Sequence, residues 1–230
     1  MEEVKAFASQ FRKQNIATVI VDGEDTYRIP HSLRDKLWSH CPNFWEKLTR
    51  EMEVERSLQV QTITANCDVF ELFLFWASEL RLPHFDVSKE DITDDDVSTT
   101  VVECKYTEGV LADLWLFAAE FSIPRLQNEA MKRLLEVLFE VRVRPCTLRQ
   151  FYRPSGKTQL QNVLQLEVAH GLCCDCYAAQ EENELGKVDG FLSTFTSLVR
   201  GRGMLDPKET SPSIQFTNGG DISAFMVPEE

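Results

Sequence analysis

Residues 68–76, Asp-Val-Phe-Glu-Leu-Phe-Leu-Phe-Trp, constrain this chain more than any other stretch. Val69, Phe70, Leu72, Phe73, Leu74, Phe75 and Trp76 are large and apolar. At 3.6 residues per turn they cover nearly every face of a helix. A helix that is apolar all round must be covered from several sides, so the spacing predicts a central, buried helix. Asn66 precedes it as a cap whose side-chain oxygen accepts from the free amides of the first turn. Asp68 and Glu71 suit the positive end of the helix dipole.

Around this helix the pattern predicts further elements. Val4, Phe7, Ala8 and Phe11 fall at helical spacing, giving an amphipathic helix over 3–14. Ile16 to Val21 is apolar and β-branched, and Asp22-Gly23 turns it into a hairpin with Tyr27-Arg28-Ile29. Pro30 cannot donate to a ladder and ends that strand. Leu33, Leu37 and Trp38 make one helical stripe, and Phe44, Trp45 and Leu48 a second after Pro42. Leu58 to Gln61 alternates as a third strand. Val110, Leu111, Leu114, Trp115, Ala118 and Phe121 form another buried stripe. Pro124 opens a helix that carries Leu126, Ala130, Leu134, Leu135 and Leu138 to about residue 140. Early strands followed by helices define an α+β class.

Charge and cysteine content narrow the function classes. The chain of 230 residues carries a net charge of −13, which opposes a dedicated nucleic-acid binder. No apolar run reaches the roughly 18 residues of a membrane span. Met1 to Lys13 is charged and lacks an apolar signal core, so secretion is not expected. Seven cysteines without paired spacing read as reduced thiols of the cytosol or nucleus. Residues 61–110 hold 3 basic and 11 acidic residues, concentrated between Asp86 and Asp96. Such a run buries no apolar surface, so 83–107 is expected as an acidic surface loop.

Several of these segments together resemble the BTB/POZ domain, in particular the short stand-alone forms of fungi. Val19-Ile20-Val21-Asp22-Gly23 is similar to the family's first strand, and Tyr27-Arg28-Ile29-Pro30 to its second strand and helix entry. Cys41-Pro42-Asn43-Phe44-Trp45 resembles the family's Ser-Pro-x-Phe-Phe. Asp68 to Trp76 is similar to its central helix, and Leu114 to Asn128 is the most specific match. The resemblance implies a BTB/POZ fold over 18–140, with a three-stranded sheet flanked by a helical cluster. Residues 1–17 are then a leading helix and 141–200 a helical extension. Residues 201–230, which contain Gly, Pro and Ser, are expected as a flexible tail. Three features depart from the family: a longer first helix entry, Trp76-Ala77-Ser78-Glu79 in place of an aromatic-Tyr-Thr-Gly turn, and the acidic loop.

Motifs that carry chemistry are few. Gly156-Lys157-Thr158 mimics the end of a phosphate-binding loop, but the glycine required five residues earlier is Phe151. His170, Cys173 and Cys174 share a helix face, whereas Cys176 lies off it and no second ligand pair follows at zinc spacing. These thiols are read as structural, with zinc or redox chemistry as the other reading. Arg142, Arg144, Arg149, Arg153 and Lys157 surround Phe151 and Tyr152. That is either a single-strand grip or a solvated face offsetting the acidic remainder. None of the four histidines, His31, His40, His84 and His170, sits in a nucleophile motif. No catalytic residue, cofactor or metal is assigned, and the chain is not expected to be an enzyme.

The resemblance implies a non-catalytic interaction module that works by burying apolar surface between chains. Val4, Phe7 and Phe11 are its homodimer face, or else pack on their own domain. For a cullin scaffold the expected contacts are Phe44 and Trp45 together with Val101-Val102-Glu103, where Val101 and Glu103 fit an apolar-x-Glu motif. An adaptor for a cullin-type ubiquitin ligase and a thiol- or metal-responsive regulator through residues 170–176 are the two alternatives.

Overall fold

The computed structural model describes residues 4, 5, 7, 17–23, 25–47, 60–63, 65–85, 97–154, 156, 158–201 and 211–229. They form an α+β chain with two compact units. One comprises Met1–Phe85, Asp113–Ala130 and Glu229–Glu230, the other Asp86–Ala112 and Met131–Pro228.

The first unit holds a three-stranded sheet ordered β2-β1-β3. β1 (Ala17–Val21) pairs antiparallel with β2 (Asp25–Ile29), Val19 opposite Tyr27. β3 (Val60–Ile63) pairs parallel with β1 from the other side, Gln61 opposite Val19. The hairpin needs consecutive residues at positive φ, Asp22 at 51° and Gly23 at 77°, and these residue types adopt that region most readily. Alternation puts Val19, Val21, Tyr27 and Ile29 into the core. Helix α1 (His31–His40) follows, with Leu33 and Leu37 buried one turn apart, and residues 42–47 are helical.

Helix α2 (Cys67–Glu79) is the predicted central helix, buried without a break from Val69 to Ala77. Asn66 caps it, its side-chain oxygen accepting from the Asp68 N–H at 2.9 Å. Around it lies an aromatic cluster. The Phe44 ring centroid is 4.7 Å from Phe73 and 5.1 Å from Phe121, and Phe73 is 5.1 Å from Phe117. The one carboxylate in this stretch, Glu71, is buried and accepts from the Tyr27 hydroxyl at 3.0 Å.

Helix α3 (Val97–Glu120) begins well inside the expected acidic loop, so residues 97–107 are helical. The aspartates at 94–96 immediately precede its first turn, where negative charge favours a helix. Helix α4 (Pro124–Glu140) starts at the predicted proline. The units also divide the chain differently from the expected boundary at 140. Glu108 and Arg144 are ion-paired within the second unit, which joins residues near 108 to those beyond 140.

The second unit continues with α5 (Pro145–Phe151), α6 (Gln159–Cys173), α7 (Ala179–Gly186) and α8 (Phe191–Gly201). Gly171 on α6 lies so close to Tyr177 that an added Cβ would fall 2.7 Å from the ring. The Tyr177 hydroxyl donates to the Val143 carbonyl at 2.8 Å. The expected flexible tail is structured from residue 211. Helix α9 (Pro212–Thr217) and a 3-10 turn (Ser223–Phe225) both pack on α6, with Pro212, Ser213 and Phe225 buried.

Candidate functional site

Of the residues expected to meet partners, Val4, Phe44 and Trp45 are buried and Phe7 is half-buried. Val4 is fully buried, and Phe7 packs edge-to-face on Phe75 at 5.4 Å. Phe7 therefore meets α2 within its own unit, and the full burial of Val4 corrects its dimer-face reading in favour of packing on its own domain. Phe11 lies outside the described residues. Phe44, 1% exposed, belongs to the aromatic cluster. Trp45 is buried, with the Arg34 guanidinium 5.9 Å from its ring. Neither side chain is presented to a partner, which corrects their assignment to a cullin groove. Val101 and Glu103 lie on helix α3, and their side chains fall outside the described residues.

Trp38 is the large apolar side chain that does face outwards in α1, at 66% exposure. It follows directly on buried Leu37, at the position where the helix turns from core to solvent. The helical stripe of Leu33, Leu37 and Trp38 is thus buried only at its two leucines. A shift of one residue on a helix is 100°, enough to carry a side chain off the apolar face.

The second unit contains a cavity of about 350 Å³. Leu138, Val141 and Ile214 give it apolar walls, and Arg142, Glu167 and His170 line it with polar groups. Each polar group is already engaged or tuned. Glu167 is buried on α6 and accepts from the Ser211 hydroxyl and the Ser213 N–H, both at 2.6 Å. Burial pushes its carboxyl up, against those donors, which pull it down. Burial pushes the His170 imidazole down, and its Nε2 lies 3.6 Å from the Cys174 sulfur. Arg142 sits 5.6 Å from the Tyr177 ring centre and 3.8 Å from Glu181.

The remaining motifs resolve into local structure. Thr158, the end of the phosphate-loop mimic, caps α6 by accepting from the Gln161 N–H at 3.2 Å. Three arginines of the basic and aromatic cluster are paired with carboxylates, Arg142 with Glu181 among them. Arg144 pairs with Glu108 and Arg149 with Glu184, each at 3.0 Å, while Phe151 and Tyr152 are buried. Arg153 donates to the backbone carbonyls of Gln150 and Tyr152. Lys157 lies outside the described residues. Cys173 and Cys176 are exposed. Among the described residues no group of three or more His, Cys, Asp or Glu side chains is arranged to hold a metal ion. None of their helices is long and apolar enough to cross a membrane.

Sequence reasoning missed the bond set joining Glu167, Ser211 and Ser213. Ser-Pro-Ser at 211–213 carries a helix-start signal, a capping residue followed by proline at the first helical position. The chain matches no known family model, no curated protein and no solved structure.

Proposed function

We propose that this chain is a non-catalytic interaction module of the BTB/POZ type that associates with a second copy of itself. The three-stranded sheet followed by a helical cluster supports the family reading. The observation that carries self-association is Trp38. Trp is enriched among residues that dominate binding energy, because it buries a large area at low conformational cost. Two-thirds exposure of such a side chain on a helix whose inner face is anchored by Leu33 and Leu37 leaves a rigid apolar projection. Burying it between two copies requires no chemistry beyond removal of apolar surface from water. The seven cysteines favour the cytosol or nucleus as its compartment. Light scattering coupled to size exclusion tests the reading. A mass near twice 26.4 kDa at micromolar concentration is expected, and a mass of 26.4 kDa throughout would overturn it.

A further inference from the structure

We infer that Ser211 is a modification site, a serine whose phosphorylation unlatches the C-terminal segment 211–228 from helix α6. Ser211 occupies the N-cap position of α9, yet its side chain makes no cap bond. Its hydroxyl donates instead to Glu167 Oε2, while the N–H of Ser213 donates to Glu167 Oε1. The capping acceptor of α9 is thus supplied by another helix, 44 residues upstream. Pro212 at the first helical position has no N–H to satisfy. The Ser211 and Ser213 hydroxyls are 2.9 Å apart.

Ser211-Pro212 is the chain's single Ser-Pro or Thr-Pro dipeptide. A protein kinase that reads proline after its acceptor is the class of enzyme it fits, with a nucleoside triphosphate as co-substrate. The Oγ–P bond forms as the bond from the γ-phosphorus to the β–γ bridging oxygen breaks. The nucleoside diphosphate leaves with the electron pair, and the hydroxyl proton passes to the kinase's base. The product carries about −1.5 to −2 charge at pH 7 and has lost the donor hydrogen that held Glu167. Beside a buried carboxylate such a group is repelled and desolvated. The cavity's two arginines are already engaged, Arg144 by Glu108 and Arg142 by Glu181 and Tyr177. Release is therefore favoured over a new clamp, and it uncovers Phe225 and the face of α6 that carries Glu167.

Ser211 is only 1% exposed, so the kinase must act on the opened form. Its rate then reports the opening equilibrium. The full chain is incubated with a proline-directed kinase and ATP, Ser211 phosphate is read by peptide mass, and amide exchange is followed over 213–225. One phosphate at Ser211 with loss of protection in that segment is expected. Glu167→Ala, which removes the latch and keeps the acceptor, should raise the initial rate about tenfold or more. Ser211→Ala should block the phosphate and keep the segment docked through Ser213. No phosphate on Ser211 in the wild-type chain, phosphate with unchanged protection, or an unchanged rate in Glu167→Ala would each overturn the proposal.

Discussion

The carboxylate of Glu108 is completely enclosed, and Arg144 is the cation that meets it. The Arg144 Nε donates to Oε2 at 3.0 Å and its backbone N–H to Oε1 at 3.3 Å. Burial pushes the Glu108 carboxyl up, and Arg144 opposes that. Truncating Arg144 strands a charge away from water.

Arg144→Ala is therefore expected to destabilise the chain strongly. Breaking a buried pair costs about 3–5 kcal/mol, and the partial exposure of Arg144 places this one near about 3 kcal/mol. The loss has a pH signature. A carboxyl whose folded pKa is raised contributes stability that is fully present below its unfolded value and lost as pH rises through the folded value. Removing Arg144 raises the folded value further. The melting-temperature gap between wild type and variant should be widest at pH 8 and shrink towards pH 5. A gap that stays constant or widens on acidification would contradict this account.

Phe73 sits within 6 Å of the ring centres of Phe44, Phe70 and Phe117, so its removal empties the middle of one cluster. Phe73→Ala should cost about 3–5 kcal/mol through lost transfer energy and the cavity left behind. Urea unfolding followed by tryptophan fluorescence measures it. A loss below about 1 kcal/mol would show that the cluster collapses around the gap, against the close packing expected of cores.

Elements fixed by local chemistry were legible from the residues alone. The Asn66 cap, the Asp22-Gly23 turn and the all-round apolar α2 each depend on neighbours a few positions away. What was not legible depends on which distant element a side chain meets. The spacing of Val4 and Phe7 defines a stripe but not what it meets, and the contact of Phe7 with Phe75 lies 68 residues away in sequence. The acidic run before residue 97 signals a loop by composition, yet it also prepares a helix start, and α3 uses it so. Glu167 and Glu108 carry no sign of burial in their own surroundings, because the groups that hold them lie 44 and 36 residues further along the chain. The tail reads as unstructured in sequence because the polar anchors it meets are remote, Glu167 for Ser211 and Ser213 and Asn128 for Glu229.

The thiols should separate into two reactivity classes. Burial pushes the Cys41 thiol up to about 12, so almost none of it is thiolate at neutral pH. Cys146, Cys173 and Cys176 are exposed. A thiol-reactive chromogen at pH 8 should modify those three within the fast phase, and Cys41 only after denaturation. Peptide mapping of the fast products checks this. Early labelling of Cys41 would mean that the segment from α1 to residue 47 opens in the native state.

Trp38 provides both the variant and the spectroscopic probe for self-association. Trp45, Trp76 and Trp115 are buried, so Trp38 is the one of the chain's four tryptophans that a solute quencher reaches in a single copy. If two copies meet over it, quenching by iodide must fall as protein concentration rises through the dissociation constant. Trp38 is two-thirds exposed, so Trp38→Ala should keep a melting temperature close to wild type, as surface changes usually stay within about 0.5 kcal/mol. Its dissociation constant should rise about 30-fold, the equivalent of the roughly 2 kcal/mol that marks a dominant interface residue. Sedimentation equilibrium of the two chains supplies the constants. Leu192→Ala, on another exposed apolar residue, in helix α8, serves as the comparison and should leave association unchanged. Quenching independent of concentration, or equal constants for wild type and Trp38→Ala, would remove Trp38 from any interface between copies.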